Sequence, residues 1–125
     1  MRYLLDTTLL IDHARGRPGA VDLVASLFDE PNDLYICDVV VAEALTGGSD
    51  LERDAINAMI HAIEYLSTPP QAAAWAAGSR RARGAGPRSL GDALIAGLAT
   101  VTGAAVVTRN PRDFEAQGVA VLGYE

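Results

Sequence analysis

Tyr3-Leu4-Leu5-Asp6-Thr7-Thr8-Leu9-Leu10-Ile11-Asp12 opens on an apolar run, reaches a carboxylate, passes two hydroxyls and returns to apolar residues. The run is apolar at nearly every position rather than at alternate ones. That pattern suits a strand covered on both faces, as in a parallel sheet. Arg2 to Asp6 therefore reads as a buried strand, and Leu9 to Arg15 as a helix turning back over it. Thr7 or Thr8 can cap that helix, because a side-chain oxygen takes an unpaired N–H of the first turn. In open α/β sheets ligand sites gather outside the carboxyl ends of the strands. Asp6 stands at such an end and is the first candidate site residue. An acid that merely begins a turn is the plainer alternative, but here the acid ends a fully apolar strand.

Outward from this unit, strands and helices alternate. After a Gly16-Arg17-Pro18-Gly19 break, Ala20 to Glu30 places Val21, Val24, Ala25 and Phe28 at helical spacing. Leu34 to Cys37 is a short strand. Propensity alone would carry it to Val41; a stop at Cys37 is preferred, with Asp38 as N-cap and a helix from Val39 to Thr46 ended by Gly47-Gly48. Ser49 or Asp50 caps a helix to about Glu64, with Ala55, Ala58, Met59, Ala62 and Ile63 on its buried side. Tyr65 to Ser67 is a further strand, Gln71 to Ala82 an alanine-rich helix and Gly84-Ala85-Gly86-Pro87 a loop. Leu90 to Thr102 is helical, with Leu90, Leu94, Leu98 and Val101 in one stripe and with Gly91 and Gly97 permitting close approach. Ala104 to Thr108 is a buried strand, and Val119 to Leu122 an edge strand. The alternation predicts an α/β fold on a parallel sheet.

At 125 residues the chain is expected to form one domain, 1–125. No apolar run approaches the roughly 18 residues of a membrane span. The opening Met1-Arg2-Tyr3 lacks the layout of a signal peptide, so a cytoplasmic location is expected. Cys37 is the single cysteine and reads as a small core residue. His13 and His61 are far apart, so no His/Cys cluster suggests zinc. The formal net charge of -6 argues against a simple nucleic-acid binder, because phosphate rewards positive charge. The distribution is uneven, however. Arg80, Arg81, Arg83 and Arg88 crowd ahead of Asp92, while Arg109 and Arg112 lie near the end. Such a local basic strip can hold a phosphodiester.

Asp6, Glu43, Asp92 and the Asn110/Asp113 pair each fall at a predicted strand end or at the start of a buried helix. Carboxylates clustered at sheet ends are what Mg²⁺ or Mn²⁺ requires. Without a cation they would repel one another and shift their pKa values upward. Glu43 lies between Val39-Val40-Val41-Ala42 and Ala44-Leu45, where either a buried partner or the wet side of a helix accounts for it. Ser89-Leu90-Gly91-Asp92 matches a capping box, which is compatible with a ligand at a helix start. Asn110 can be an N-cap, with Pro111 first and Asp113 third in the helix. Asp12 is assigned to a solvated helix face and Asp38 to its cap.

Four stretches together, Leu4-Leu5-Asp6-Thr7-Thr8, Val41-Ala42-Glu43-Ala44-Leu45-Thr46-Gly47, Asp92-Ala93-Leu94-Ile95-Ala96 and Val107-Thr108-Arg109-Asn110-Pro111-Arg112-Asp113-Phe114, resemble a PIN domain. More narrowly they resemble the VapC toxins of type II toxin–antitoxin pairs. The resemblance runs from Arg2 to about Leu122. It implies a three-layer sandwich, a twisted parallel sheet of four or five strands with helices on both faces. It implies a metal-dependent endoribonuclease, with Mg²⁺ or Mn²⁺ held by Asp6, Glu43 and Asp92. The family's fourth acid falls at or near Asn110, where this chain departs; Asp113 is the other candidate. The hydroxyl after the first acid transfers to Thr7 or Thr8, with Thr8 favoured as site-lining. Arg80, Arg81, Arg88 and Arg109 would contact RNA. An RNA substrate, a cognate antitoxin, a homodimer or a higher toxin–antitoxin assembly, and no membrane are the implied partners. The competing reading is a catalytically impaired PIN-like module that only binds RNA or protein. Asn110 is its best support.

Overall fold

The computed structural model describes residues 1–84 and 89–125. Its strands are β1 (Arg2–Leu5), β2 (Asp33–Cys37), β3 (Glu64–Leu66), β4 (Ala105–Thr108) and β5 (Val121–Gly123). Between them lie α1 (Thr7–Ala14), α2 (Pro18–Asp29), α3 (Asp38–Ala44), α4 (Asp50–Ala62), α5 (Pro70–Arg83), α6 (Leu90–Thr102) and α7 (Pro111–Glu115). The strands form one sheet in the order β3-β2-β1-β4-β5, with every pair parallel. The sheet therefore has the five strands that the upper expectation named.

The first strand lies at the centre. Leu4 is in register with Tyr35 of β2 on one side and with Val106 of β4 on the other. The chain builds outward from β1 to β2 and β3, then jumps back to β4 and continues to β5. Right-handed crossovers in opposite directions place helices on opposite faces. The packing agrees: α1 packs on α2, α3 and α4, whereas α5 packs on α6, and α6 on α7. Leu4, Leu5, Ile36, Val106 and Val107 are fully buried between these layers. The reversal of direction beside β1 is the switch point at which such sheets hold ligands.

Local signals set several boundaries. Ser49 accepts from the Glu52 N–H at 3.1 Å and donates back to its carboxylate at 3.3 Å, a reciprocal cap at the start of α4. Gly103, at φ 72°, ends α6, a left-handed stop that glycine adopts without strain. Gly97 faces the carbonyl of Ala72 so closely that a Cβ would strike it, which lets α5 and α6 touch backbone to backbone.

Four helix-face expectations are corrected. On α2 the buried residues are Ala20, Val24 and Leu27, while Val21 and Phe28 are exposed. Apolar residues occupy both sides of this helix, and the sheet selected the stripe one position away. On α4, Ile56 and Met59 are buried, whereas Ala58 and Ala62 are exposed. On α6, Ala93, Ile95, Ala96, Gly97, Leu98 and Ala99 are buried, while Leu90 and Val101 are exposed. Of the expected stripe only Leu98 is buried; small residues and Ile95 make up the rest of the core face. Asp12 is the fourth: it is buried rather than solvated. Among the described residues no helix is long and apolar enough to cross a membrane.

Candidate active site

Asp6 leaves β1 and becomes the N-cap residue of α1, in extended backbone and without a side-chain cap bond. Neither Thr7 nor Thr8 caps that helix. Their hydroxyls turn instead to the acids. Thr8 Oγ1 donates to Asp6 Oδ2 at 3.2 Å, and Thr108 Oγ1 at the end of β4 donates to the same oxygen at 2.8 Å. The Arg109 backbone N–H donates to Thr8 Oγ1 at 3.2 Å, and the Asn110 N–H to Thr108 Oγ1 at 3.0 Å. Two hydroxyls thus hold one edge of a carboxylate that is only 5% exposed. Burial pushes the Asp6 carboxyl up from its ordinary range, against the opposing bonds from Thr108, Thr7 and Thr8; Glu43 adds repulsion.

Glu43 lies on the exposed side of α3, so the wet-face alternative describes its burial. It nonetheless points back at β1's end: Thr7 Oγ1 donates to Glu43 Oε1 at 2.7 Å. A Cβ on Gly91 would lie 2.6 Å from Glu43 Oε2. The missing side chain at position 91 is therefore what lets Glu43 reach the start of α6. Asp92 is one residue further on. Ser89 occupies the N-cap position of α6 but makes no side-chain cap bond there, so the expected capping box is not formed. Asp92 is pushed up to about 6, first by burial and then by the charges of Asp6, Asp113 and Glu43, with Arg83 pulling the other way. Asp6, Glu43, Asp92 and Asp113 are thus one electrostatic group.

Asn110 and Asp113 flank the same turn differently. Asn110 is exposed and holds the N-cap position of α7 without a side-chain cap bond. It lines a 340 Å³ concavity with Arg109, Pro111, Arg112 and Asp113. Asp113 also lines a 240 Å³ concavity with Arg83, Ser89, Asp92 and Gln117. Asp113 therefore shares open space with Asp92.

The arginines divide. Arg80, Arg81 and Arg83 lie in the last turn of α5, and Arg80 Nε is 3.4 Å from Ser89 Oγ. Arg88 lies outside the described residues. Arg109 is directed elsewhere, its Nε 3.5 Å from Asp12 Oδ2.

Asp12, Tyr124 and Thr108 escaped sequence reasoning. Tyr124 donates its hydroxyl to Asp12 Oδ2 at 2.7 Å. The two residues are 112 positions apart, and no periodicity reports such a pair. Burial and the bond to Asp12 hold the Tyr124 phenol far above its ordinary value. Arg109 thus has its side chain on the Tyr124–Asp12 pair and its backbone N–H on Thr8. For Thr108 a signal existed: a hydroxyl closing a fully apolar strand mirrors Thr8 after the first acid. Asp38, assigned to a cap, receives the Val39 N–H at 3.0 Å and the Thr68 hydroxyl at 2.7 Å. It ties the end of β3 to the end of β2 and stands apart from the acid group.

Asp6, Glu43, Asp92 and Asp113 offer only hard oxygen donors, and among the described residues no salt bridge engages any of them. Mutually repelling carboxylates beside two hydroxyls are a donor set that suits a hard divalent cation. As the side chains stand, no three acids among the described residues are close enough together to hold an ion. The residue types fit such an ion.

Comparison with known proteins places these observations. The PIN domain family model matches residues 3–119. Ribonuclease VapC19 of Mycobacterium tuberculosis is 31% identical over 113 residues, which cover 89% of this chain and 90% of that protein. The crystal structure of VapBC2 from Rickettsia felis, bound to a promoter DNA fragment, superposes with a TM-score of 0.81 at 18% identity over the full length of both chains. DNA-bound VapBC from Salmonella typhimurium gives a TM-score of 0.77 at 25% identity over 98% of both.

Proposed function

The chain belongs to the PIN-domain family, with the VapC ribonucleases, and we propose that it is a metal-dependent endoribonuclease, the toxin of a toxin–antitoxin pair. The observation that carries this reading is the convergence of Asp6, Glu43, Asp92 and Asp113 at the switch point of the sheet, where each acid raises the proton affinity of Asp92. Like charges gathered without an ion pair among the described residues indicate a place for a cation.

Asp6, Glu43 and Asp92 would hold a Mg²⁺ or Mn²⁺ ion. When bound, such an ion polarises a phosphodiester and lowers the pKa of its water. Thr8 and Thr108 fix the plane of the Asp6 carboxylate so that its orientation does not have to be found anew with each substrate. Asp113, which shares Asp92's concavity, fills the fourth acidic position; Asn110 lends its backbone N–H to Thr108. Arg83 is the cation that acts on Asp92 and is the leading RNA-backbone contact, with Arg80 and Arg81 in the same last turn of α5; Arg88 is a further candidate on sequence alone. Arg109, already paired with Asp12, orients the turn after β4.

The VapC name of the relative and the VapBC assemblies among the similar structures support an antitoxin partner; a homodimeric toxin is part of the same proposal. A cytoplasmic single domain of residues 1–125 accords with that reading. The impaired-module alternative rests on Asn110, and Asp113 weakens it.

The decisive test is cleavage of total RNA by antitoxin-free protein with Mg²⁺, Mn²⁺ or EDTA, beside Asp6→Asn and Asp92→Asn. Metal-dependent cutting that both substitutions abolish is expected. A folded wild-type protein that cuts nothing with either metal would overturn the nuclease in favour of the binding module.

A further inference from the structure

A second cavity adjoins the acids and is not used by them. It measures 440 Å³ and lies between α5 and α7, lined by Trp75, Gly78, Ser79, Ala82, Arg83, Ala116 and Gln117. Arg83 and Gln117 also line the concavity that contains Asp92 and Asp113. The two hollows therefore meet across this pair of residues. The volume is within the range of about 300–1,000 Å³ typical of small-ligand sites.

Its lining has three chemical parts. Trp75 is half-buried, and its ring lies against α6, where a Cβ on Gly97 would be 3.3 Å from its Cε3. Trp75 thus both touches α6 and lines the cavity. Gly78 leaves the neighbouring wall bare; a Cβ there would find only Arg81 Nη2, 3.8 Å away. The floor is polar. Ser79 Oγ donates to Gln117 Oε1 at 3.2 Å, and Gln117 Nε2 donates to the Asp113 carbonyl at 2.9 Å. Among the described residues that leaves the second amide hydrogen of Gln117 and an acceptor position on Ser79 available. The guanidinium of Arg83 marks the boundary with the acids.

Building on the ribonuclease reading, we infer that this cavity is a nucleotide subsite, holding a base of single-stranded RNA adjacent to the bond cut at Asp6 and Asp92. An aromatic face, a cation suited to phosphate and a donor–acceptor pair are the three groups that grip an unpaired nucleotide. Arg83 takes the phosphate that joins this nucleotide to the scissile one. Trp75 packs on the base, and Gln117 with Ser79 reads its edge. The RNA strand consequently runs along α5 from its last turn back toward Trp75. A base that fits this cavity poorly disfavours cutting at the neighbouring bond, so the subsite contributes sequence preference.

Trp75 is the only tryptophan of the chain, so its fluorescence reports on the cavity alone. Short single-stranded RNA is titrated into antitoxin-free protein in EDTA, where cutting is blocked. A saturable change in Trp75 emission is expected. Gly78→Leu, which fills the cavity while favouring the helix, should remove that change and raise KM for cleavage roughly tenfold or more, with kcat altered less. Trp75→Phe should retain most of the affinity, whereas Trp75→Ala should behave like Gly78→Leu. Wild-type protein that cuts RNA with metal while its emission is silent, with KM unmoved in Gly78→Leu, would overturn the subsite and leave the nuclease standing. Emission that responds to an antitoxin peptide and not to RNA would assign the cavity to a protein partner and overturn the proposal. Absence of metal-dependent cutting by the wild type would remove both readings together.

Discussion

The hydroxyl of Thr108 lies 2.8 Å from Oδ2 of Asp6, across 102 residues of sequence. Both groups are buried, and the bond joins the ends of the two central strands. Thr108→Val keeps the shape and removes the donor. It should cost about 1–3 kcal/mol in urea unfolding, the range for a lost bond to a buried acid. Thr108→Ser should restore most of it. A stable Thr108→Val beside a destabilised Thr108→Ser would show that the methyl group, not the hydroxyl, matters.

The acid group makes metal-free stability depend on pH. In the folded chain Asp92 keeps its proton up to about pH 6, whereas in the unfolded chain it releases it near 3.8. Between those values the unfolded chain has lost more protons, so this residue's contribution to stability falls as pH rises. Asp6, also raised, acts in the same direction. Melting in EDTA from pH 4.5 to 7.5 should show Asp92→Asn with a flatter decline than wild type and a higher Tm at pH 7. Adding Mg²⁺ or Mn²⁺ should raise the wild-type Tm at pH 7 and that of Asp92→Asn much less, because a ligand stabilises the state that binds it. A lower Tm for Asp92→Asn in EDTA would mean that its charge is paired, contrary to the repulsion described here.

Two glycines in α6 separate folding from function. At Gly97 the neighbour of an added Cβ is the backbone carbonyl of Ala72; at Gly91 it is the mobile end of Glu43. Gly97→Ala must push α5 from α6 and should cost about 1–3 kcal/mol in denaturant unfolding. Gly91→Ala should leave unfolding within about 0.5 kcal/mol of wild type, because Glu43 can swing away. Its RNA cleavage should nonetheless drop at least tenfold, since Glu43 can no longer reach the start of α6. Unchanged cleavage would remove Glu43 from the centre.

Tyr124 is a clasp. Tyr124→Phe deletes the donor at 2.7 Å from the buried Asp12 and should cost about 1–2 kcal/mol. Amide exchange should quicken in β5 and in the turn that follows β4, because Arg109 loses a fixed partner surface. Exchange unchanged at Arg109 and Asn110 would confine the clasp to the C-terminus.

How far the sequence could be read depended on the range of each interaction. The parallel sheet, its order of elements and the placement of Asp6 at a strand end and Asp92 at a helix start follow from local runs and spacing; Glu43 lies in the last turn of α3, not at a strand end or helix start, and only the family resemblance joined it to them. The buried stripe of α6 did not, because a helix apolar nearly all round has no preferred face until neighbours choose one. On α2 two apolar stripes compete about one residue apart. Asp12 looked solvated because an acid in a helix normally is; only Tyr124 and Arg109, brought in by the last strand and β4, reverse that. Spacing likewise leaves both Asn110 and Asp113 open for the fourth position; in the fold it is Asp113 that lines a hollow with Asp92.

The central place of β1 bears on the order in which the protein is made. A ribosome delivers residues 2–5 first, yet β4, their neighbour on one side, arrives about a hundred residues later. Until Thr108 has emerged, Asp6 lacks one of its two hydroxyl partners, and β1 lacks its neighbour on one side. A nascent chain thus cannot display the acid centre in working order before residue 108 has emerged.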